Sequence, residues 1–320
     1  MPANPNWGDI TVTTLHKRQK MIVDNVTNNN ALLSHLKKSG NIKLVSGGES
    51  IIHELSYNTG RYNRYQGYGI LDISPTDMFS AAEYDWKQSA VPISMSGLEE
   101  LKNAGNERMI DLLEERIKNA EATMSNGIAE DVYGDGTADG GLAMGGLQLL
   151  VAAVPTNTAG GISGSAYPFW QNYVYDFSDL AITPSATTIT AAMNMTWMNT
   201  KRGKDEIDLI VADNTYYDYY WTSLQTIQRI TSDTGEAGAG YGALRFKGAN
   251  VLLDGGYGGS APAGMFFLNT KHIKFNSHSK RNFVPLEKRH SVNQDAFVQH
   301  LVWAGNMTMG NRFLQGRIVP

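Results

Sequence analysis

The 320-residue sequence contains no cysteine, which excludes disulfide scaffolds, thiolate zinc sites and thiol nucleophiles. Charge is scarce as well, because Asp, Glu, Lys and Arg make up only 18% of the residues. The net charge of −4 gives no global basic signature for nucleic-acid binding. No apolar run approaches the roughly 18 residues of a membrane span, so no membrane partner is predicted. The N-terminus lacks the basic and apolar regions of a signal peptide, which predicts a protein made in a cytoplasm.

Sequence motifs of catalysis and cofactor binding are missing too. Gly161 to Ser165 lacks the final glycine of a serine nucleophile elbow. The Gly-rich stretch Gly134 to Leu142 lacks the Gly-Lys-Ser/Thr ending of a phosphate loop and the closing Glu of an EF-hand, and it is predicted to be a turn. The histidines show no metal-ligand spacing: His16, His35, His53, His272, His278, His290 and His300. We therefore predict no catalytic, cofactor or metal site.

The most regular pattern runs from Ser96 to Val132 and predicts a long helix. Its apolar residues recur every three or four positions: Ile110, Leu113, Ile117, Ala120, Met124, Ile128 and Val132. Charged residues between them are expected to keep the opposite face in water: Glu107, Arg108, Asp111, Glu114, Glu115, Arg116, Lys118 and Glu121. Ser96 and Glu99 have capping-box spacing, and Gly105 is expected to interrupt the run. From Asn106 the helix would span roughly 40 Å before glycines end it after Tyr133.

An extended hairpin is predicted upstream of that helix. Ile51 to Tyr57 and Phe79 to Val91 have strand character, and a polar excursion rich in Arg and Tyr separates them. A hairpin of this length is marginal by itself in water, so it must lie on its own domain or on a neighbouring subunit. Its tip residues could stack on nucleic-acid bases or anchor a protein interface. We favour the interface and predict that these residues contact an adjacent subunit: Arg61, Tyr62, Arg64 and Tyr65.

The remaining segments suggest an arm and a mixed α/β body. Thr11 to Leu36 has a loose helical pattern, basic charge and too many leucines to float free. Residues 143–285 alternate helices and strands, which indicates an α/β layer. The predicted helices are Thr187 to Asn199 and Tyr216 to Ile230, the latter with Tyr217, Tyr220, Leu224 and Ile227 on one stripe. The predicted strands are Ile207 to Ala212, Phe246 to Asp254, Gly264 to Phe275, Asp295 to Ala304 and Arg312 to Val319.

This order of parts resembles the major capsid proteins of tailed bacteriophages with the HK97 fold. The resemblance rests on short motifs in a fixed order that together cover most of the chain. They are Tyr84-Asp85-Trp86-Lys87-Gln88, Val91-Pro92-Ile93-Ser94-Met95-Ser96, Arg116-Ile117-Lys118-Asn119-Ala120, Tyr133-Gly134-Asp135-Gly136-Thr137, Phe246-Lys247-Gly248 and Asn311-Arg312-Phe313.

The resemblance implies an α+β, HK97-like capsid fold made of four parts. Residues 1–44 would be an N-terminal arm and 45–92 an extended hairpin loop lying over a neighbour. Residues 93–142 and 286–306 would form a peripheral domain with the long helix as its spine. Residues 143–285 and 307–320 would form an axial domain, whose Gly235–Gly242 loop we expect to face a capsomer centre.

The same resemblance implies a structural role without catalysis. The chain would assemble with itself into hexamers and pentamers of an icosahedral shell that encloses double-stranded DNA, contacting the DNA only non-specifically. Expected partners are separate scaffold and portal proteins and, optionally, a decoration protein; the location would be the virion, after assembly in the host cytoplasm. The alternatives are an encapsulin-type nanocompartment shell and a soluble α/β enzyme or binding protein with an unrecognised site.

Overall fold

A computed structural model describes residues 30–58, 62–70, 74, 77–102, 106–227, 244–254, 261–287 and 289–320. Its helices are α1 (Ala31–Lys38), α2 (Gly97–Lys102), α3 (Asn106–Tyr133), α4 (Ala138–Gly141), α5 (Leu147–Leu150), α6 (Ile189–Thr200) and α7 (Asn214–Ile227). Its first eight strands are β1 (Ile42–Val45), β2 (Ile51–Ser56), β3 (Phe79–Tyr84), β4 (Lys87–Ser96), β5 (Thr158–Ala159), β6 (Ile162–Ser163), β7 (Tyr173–Asp176) and β8 (Leu209–Ala212). The later strands are β9 (Leu244–Phe246), β10 (Ala249–Leu253), β11 (Met265–Leu268), β12 (Ile273–His278), β13 (Val284–Pro285), β14 (Arg289–His290), β15 (Ala296–Met309) and β16 (Gly316–Val319).

The first six-stranded sheet is built on β15. Strand β4 lies antiparallel along one stretch of β15, while β12, β13 and β14 also pair with β15, and β1 adds to β12 in parallel. Trp303 of β15 stacks on Phe275 of β12 with ring centroids 5.4 Å apart, and its indole N–H donates to Ser277 Oγ at 3.2 Å. The predicted strand Asp295 to Ala304 is therefore confirmed, and it continues five residues further to Met309.

The second six-stranded sheet has the order β7-β16-β11-β8-β10-β9 and carries helices. Strand β8 is buried at every position, as its continuous apolar run predicts. Helices α6 and α7 cover the sheet and pack on each other. On α7 the fully buried ring positions are Tyr216 and Tyr220, whereas Tyr217 of the predicted stripe is only partly buried.

The long helix is confirmed in two pieces. The capping box forms at the start of α2, since Glu99 N–H donates to Ser96 Oγ at 3.3 Å and Ser96 N–H donates to Glu99 Oε2 at 3.0 Å. Gly105, the expected interruption, lies outside the described residues. Helix α3 then runs for 28 residues, about 42 Å, and ends at Tyr133. The described part of its apolar stripe is buried: Ile117, Ala120, Met124, Ile128 and Val132. One expectation is wrong, because Glu121 is buried rather than in water.

Three segments predicted as single strands are each divided. Phe79 to Val91 breaks at Asp85 and Trp86, because β3 pairs with β2 whereas β4 pairs with β15. Phe246 to Asp254 is a hairpin, turned by Lys247 and Gly248 with positive φ at both positions, as a type I′ turn requires. Gly264 to Phe275 breaks into β11 and β12, which belong to different sheets.

The last predicted strand is shorter than expected, since only Gly316–Val319 of Arg312 to Val319 pairs. None of the helices within the described ranges combines the length and the apolar character that crossing a bilayer requires.

Candidate subunit-contact surface

The predicted hairpin exists, and its two strands have one buried and one exposed face. Strands β2 and β3 pair antiparallel from Ile51 opposite Tyr84 to Ser56 opposite Phe79. Because side chains alternate along a strand, Ile51, Leu55 and Tyr84 point inward, and Ile52 and Phe79 point outward. Phe79 on the outward face is 75% exposed, and no element among the described residues covers it.

The inward face anchors the hairpin base to the end of β15. The Tyr84 hydroxyl donates to the Met309 carbonyl at 3.0 Å, and burial raises the pKa of Tyr84 to about 12. His53 Nε2 and Thr308 Oγ1 lie 2.7 Å apart. Burial, followed by the charges of Lys274 and Lys43, lowers the pKa of His53 to about 4, so the imidazole is neutral at pH 7. The base therefore belongs to the folded body of the subunit.

A turn from another part of the chain approaches the hairpin base closely. Glu83 N–H donates to the Gly160 carbonyl at 3.0 Å, in the turn between β5 and β6. Gly160 has φ +58°, and a Cβ at this position would lie 2.9 Å from Tyr84 Cζ, so only glycine fits. Beyond the base, Tyr57 stacks on Phe169 with centroids 4.7 Å apart and rings 12° from parallel.

A polar side chain holds the bend between β3 and β4. Asn306 of β15 is buried; its Nδ2 donates to the Asp85 carbonyl at 2.8 Å, and its Oδ1 accepts from Gly145 N–H at 3.3 Å. Trp86, the next residue, donates from Nε1 to the Gly48 carbonyl at 2.9 Å. These contacts explain why the chain leaves one sheet at Asp85 and enters another at Lys87.

The predicted contact residues lie at the tip and are in water where the structure describes them. Tyr62 is 83% exposed and Tyr65 is 66% exposed. Arg64 is exposed, and its guanidinium lies 5.6 Å from the ring centroid of Tyr62. The structure thus brings Tyr62 and Arg64 together, while Arg61 lies outside the described residues. The tip carries two more exposed apolar side chains, Tyr68 and Ile70, which are not among the predicted contact residues.

The base of the arm is docked on the same body. In α1, Asn30 caps the helix by accepting from Leu33 N–H at 3.1 Å, and Leu32, Leu33 and Leu36 are completely buried. This burial confirms that the leucine-rich end of the arm does not float free. Residues 1–29, which include most of the predicted helix, lie outside the described residues.

Two carboxylates contact α1. Asp208 accepts from the Thr270 N–H at 2.7 Å and lies 3.4 Å from His35 Nε2; burial pushes the pKa of Asp208 upward, but these hydrogen bonds outweigh it and leave the pKa below its usual value. Asp254 accepts from the Tyr133 hydroxyl and from the Ala31 N–H at the start of α1, and burial raises its pKa. The arm is thus tied to the end of α3 and to the second sheet.

The described residues hold no group of three or more His, Asp or Glu side chains placed to bind a metal ion. No protein-family model matches the sequence, and no curated protein matches it. Solved structures do match over nearly the whole chain. The Cyanophage A-1(L) capsid asymmetric unit aligns with a TM-score of 0.62 and 15% identity, covering 87% of this chain and 90% of that one. This chain has a phage capsid fold.

Other particles give the same capsid fold. The capsid of the native GTA particle aligns with a TM-score of 0.58 and 10% identity, covering 88% of each chain. The capsid of Myoviridae phage XM1 aligns with a TM-score of 0.54 and 10% identity, covering 88% of this chain and 90% of the other. The α+β fold class expected from the sequence is therefore confirmed.

Arg312 was indicated by the sequence only as part of the motif Asn311-Arg312-Phe313. Arg312 is completely buried, and its guanidinium donates to the Leu150 carbonyl at 2.8 Å, to Asn157 Oδ1 at 2.6 Å and to Asn172 Oδ1 at 3.1 Å. Burial lowers its pKa to about 10. Neutral oxygens therefore accept hydrogen bonds from this cation. These bonds connect residues 150–172 to the segment that follows β15. No sequence signal marks Arg312 as buried, since arginine is normally exposed.

Proposed function

We propose that this chain is a major capsid protein of a tailed phage, which assembles with itself into an icosahedral shell that encloses double-stranded DNA. The observation that carries the proposal is the extent of the structural likeness. Nearly all of this chain aligns with nearly all of each capsid chain, so the likeness covers the whole subunit rather than one layer of it. The three structures are capsids, which favours a phage shell over a nanocompartment or a soluble enzyme.

The described surface supports a role in assembly. A hairpin with a buried base and an exposed aromatic and cationic tip buries little of its tip area on its own subunit. Tyr and Arg are enriched among the residues that dominate protein interfaces. We infer that Tyr62, Arg64 and Tyr65, together with Arg61, contact an adjacent subunit of a hexamer or pentamer.

The four-part organisation belongs to the same proposal. Residues 1–44 form the arm, 45–92 the hairpin loop, 93–142 with 286–306 the peripheral domain, and 143–285 with 307–320 the axial domain. The first sheet takes strands from each of these parts, which supports a subunit that folds as one unit before it assembles. The Gly235–Gly242 loop, outside the described residues, is proposed to face a capsomer centre.

The proposed role in a shell implies several partner proteins. We propose a separate scaffold protein, a portal protein and optionally a decoration protein, with assembly in the host cytoplasm and the virion as the final location. The role is structural rather than catalytic. Contact with packaged DNA is proposed to be only non-specific, and the net charge of −4 predicts that it is weak.

Negative-stain microscopy of the purified chain, expressed alone and with a candidate scaffold, tests the proposal. Closed shells, tubes, or isolated hexamers and pentamers are the expected result, because many weak repeated contacts favour closed assemblies. A monodisperse monomer under every condition, scaffold included, would contradict it.

A further inference from the structure

Strand β2 has one edge that no described strand pairs with. In an antiparallel ladder, residues alternate between those bonded to the partner and those whose N–H and C=O point away from it. Glu83 N–H donates to Gly160 rather than across the hairpin, whereas Tyr57 N–H donates across the hairpin to Met78 at 3.2 Å. The backbone groups of Ile52, Glu54 and Ser56 therefore point to the free edge.

That free edge borders a groove of about 470 Å³. Five consecutive residues of the chain, from His53 to Tyr57, form one wall. Residues of the segments 271–274 and 310–314 also line it, together with Phe169 and Trp170. Consecutive residues on one wall are what an extended segment lying alongside β2 would contact. The groove therefore has the form of a site for an added strand.

The groove is positively charged although the whole chain is negative. Arg202, Lys271 and Lys274 line it, and the lining includes one carboxylate, Glu54. Burial and then the nearby charge of Lys43 lower the pKa of Lys274, so a further cation lies close to this lining. No ion pair joins these lysines or Arg202 to a carboxylate within the described ranges.

A buried polar atom in the same lining also lacks a partner. His272 Nε2 is out of water and makes no hydrogen bond to any described residue. Burial, which dominates, and the charges of Lys271 and Lys274 lower the pKa of His272 against the opposing effect of Asp205, so the imidazole is neutral. The unpaired nitrogen is unusual, since buried polar atoms in native proteins are normally hydrogen-bonded.

We propose that an extended, carboxylate-bearing segment of a second copy of this chain pairs with the free edge of β2 in this groove. The inference rests on the proposed function, because it needs copies held side by side. It places a second contact at the base of the hairpin, separate from Tyr62, Arg64 and Tyr65 at its tip. Charge complementarity favours an acidic segment of that copy, because the lining carries three cationic side chains and one carboxylate.

The chain's own N-terminal residues fit the groove less well. Residues 1–29 carry Lys17, Arg18 and Lys20 against Asp9 and Asp24, so their charge has the same sign as the groove. An acidic segment gains from the lysines and Arg202, whereas a basic one is repelled. The occupant is therefore sought among the acidic segments of a neighbouring copy.

Hydrogen exchange with residue-level resolution, on assembled shells and on unassembled subunits, tests strand addition. We expect the amides of Glu54 and Ser56 to exchange at least about tenfold more slowly in shells, because they become bonded to the added strand. The Glu83 amide is the internal control: it is bonded to Gly160 in the free subunit and should change little. Equal exchange of Glu54 and Ser56 in both forms would overturn the inference.

A pair of substitutions distinguishes the contribution of the Ser56 backbone N–H from that of the Ser56 side chain. Ser56→Pro removes an N–H that faces the groove and leaves the bonds between β2 and β3 intact, because proline is tolerated where the N–H points off the edge. Ser56→Ala keeps the N–H. We expect Ser56→Pro to reduce the yield of shells at least about fivefold and Ser56→Ala to leave it unchanged, with both subunits unfolding at the wild-type urea concentration. Equal yields from both variants, with folding preserved, would contradict strand addition.

Cross-linking then identifies the occupant, and the absence of native cysteine makes it specific. Ser56→Cys labelled with a photoreactive maleimide is assembled from a mixture of ¹⁴N and ¹⁵N subunits. We expect cross-linked peptides of mixed label, joining residue 56 to an acidic segment. Links only within one label would show that the chain fills its own groove and would overturn the inference. Failure to form any shell, even with a scaffold, would overturn the proposed function and this inference together.

Discussion

The base and the tip of one hairpin differ in where their contacts lie. At the base, Tyr84 and His53 bond to the last residues of β15, and Gly160 lies against the strand. At the tip, Tyr62 and Tyr65 are in water, although they have the size and chemistry of buried anchors. The base therefore stabilises the subunit that carries it, and the tip is available to stabilise an assembly. Substitutions at the two ends should affect different measurements.

The largest effect on the free subunit is expected for Tyr84→Ala. The change removes a buried ring and its bond to Met309, and such truncations cost about 3–5 kcal/mol of unfolding free energy. Phe79→Ala is the matched control, because it removes a ring from the exposed face of the same strand and should cost less than about 0.5 kcal/mol. Urea unfolding of unassembled subunits measures both. Similar losses of unfolding free energy for the two variants would show that the two faces of the hairpin do not differ in burial.

A smaller loss is expected for Asn306→Ala at the bend between the strands. The substitution leaves the part-buried Asp85 carbonyl and the buried Gly145 amide without their partner, which costs about 2–3 kcal/mol. Asn293→Ala, at an exposed asparagine, should be neutral within about 0.5 kcal/mol. The same urea titration measures both variants. An unchanged free energy of unfolding for Asn306→Ala would mean that the bend does not depend on this side chain.

The tip should behave in the opposite way. Replacing Arg61, Tyr62, Arg64 and Tyr65 together by alanine should leave the urea midpoint of free subunits unchanged and lower the yield of shells at least about tenfold. The conservative variant Arg61→Lys, Tyr62→Phe, Arg64→Lys, Tyr65→Phe keeps rings and charges and should assemble nearly normally. Normal assembly and shell stability of the alanine variant would contradict the assignment of the tip to an interface.

The smallest expected effect is a dependence of subunit stability on pH, which arises from His53 at the base of the hairpin. The pKa of His53 is about 4 in the folded chain and 6.5 in its ordinary state, so the unfolded chain binds more protons between these values. The contribution of His53 to stability is thus complete above pH 6.5 and is lost as the pH falls towards 4. His53→Gln keeps a polar group beside Thr308 and removes the titration, so its stability should fall less over this range. Some slope should remain, because the pKa of His272 is lowered in the same direction. Identical slopes for both proteins would contradict the burial of His53.

Local patterns were sufficient to predict the long helix and the hairpin. The stripe from Ile117 to Val132 and the box at Ser96 and Glu99 depend on residues three or four positions apart, which the sequence displays directly. The pairing of β2 with β3 also follows from neighbouring segments. These features are set by short-range geometry, so a single sequence is enough to find them.

The divisions within strands depend on partners far away in the chain and were not predictable in the same way. The break at Asp85 is held by Asn306, 221 residues later, and the corner before β12 is held by Asp208 through Thr270. The turn at Lys247-Gly248 did have a local signal, the glycine, which the apolar run around it obscured. Glu121 is buried on a helix whose charged residues were expected to face water, because the packing around α3 extends beyond its apolar stripe.

The candidate contact surface was predicted only in outline. The composition of the tip indicated an interface, but the free edge of β2 and the basic groove beside it come from segments more than 200 residues apart, such as His53 and Lys274. Whether a strand edge is paired depends on the complete sheet order, which no local pattern contains.

A cryo-electron microscopy reconstruction of shells assembled from this chain tests the central claim most directly. We predict a closed icosahedral particle in which the side chains of Tyr62, Arg64 and Tyr65 lie within contact distance of a neighbouring copy, while Tyr84 remains bonded to Met309 of its own copy. A closed shell in which the tips stand in solvent, or fold back on their own subunit, would contradict it.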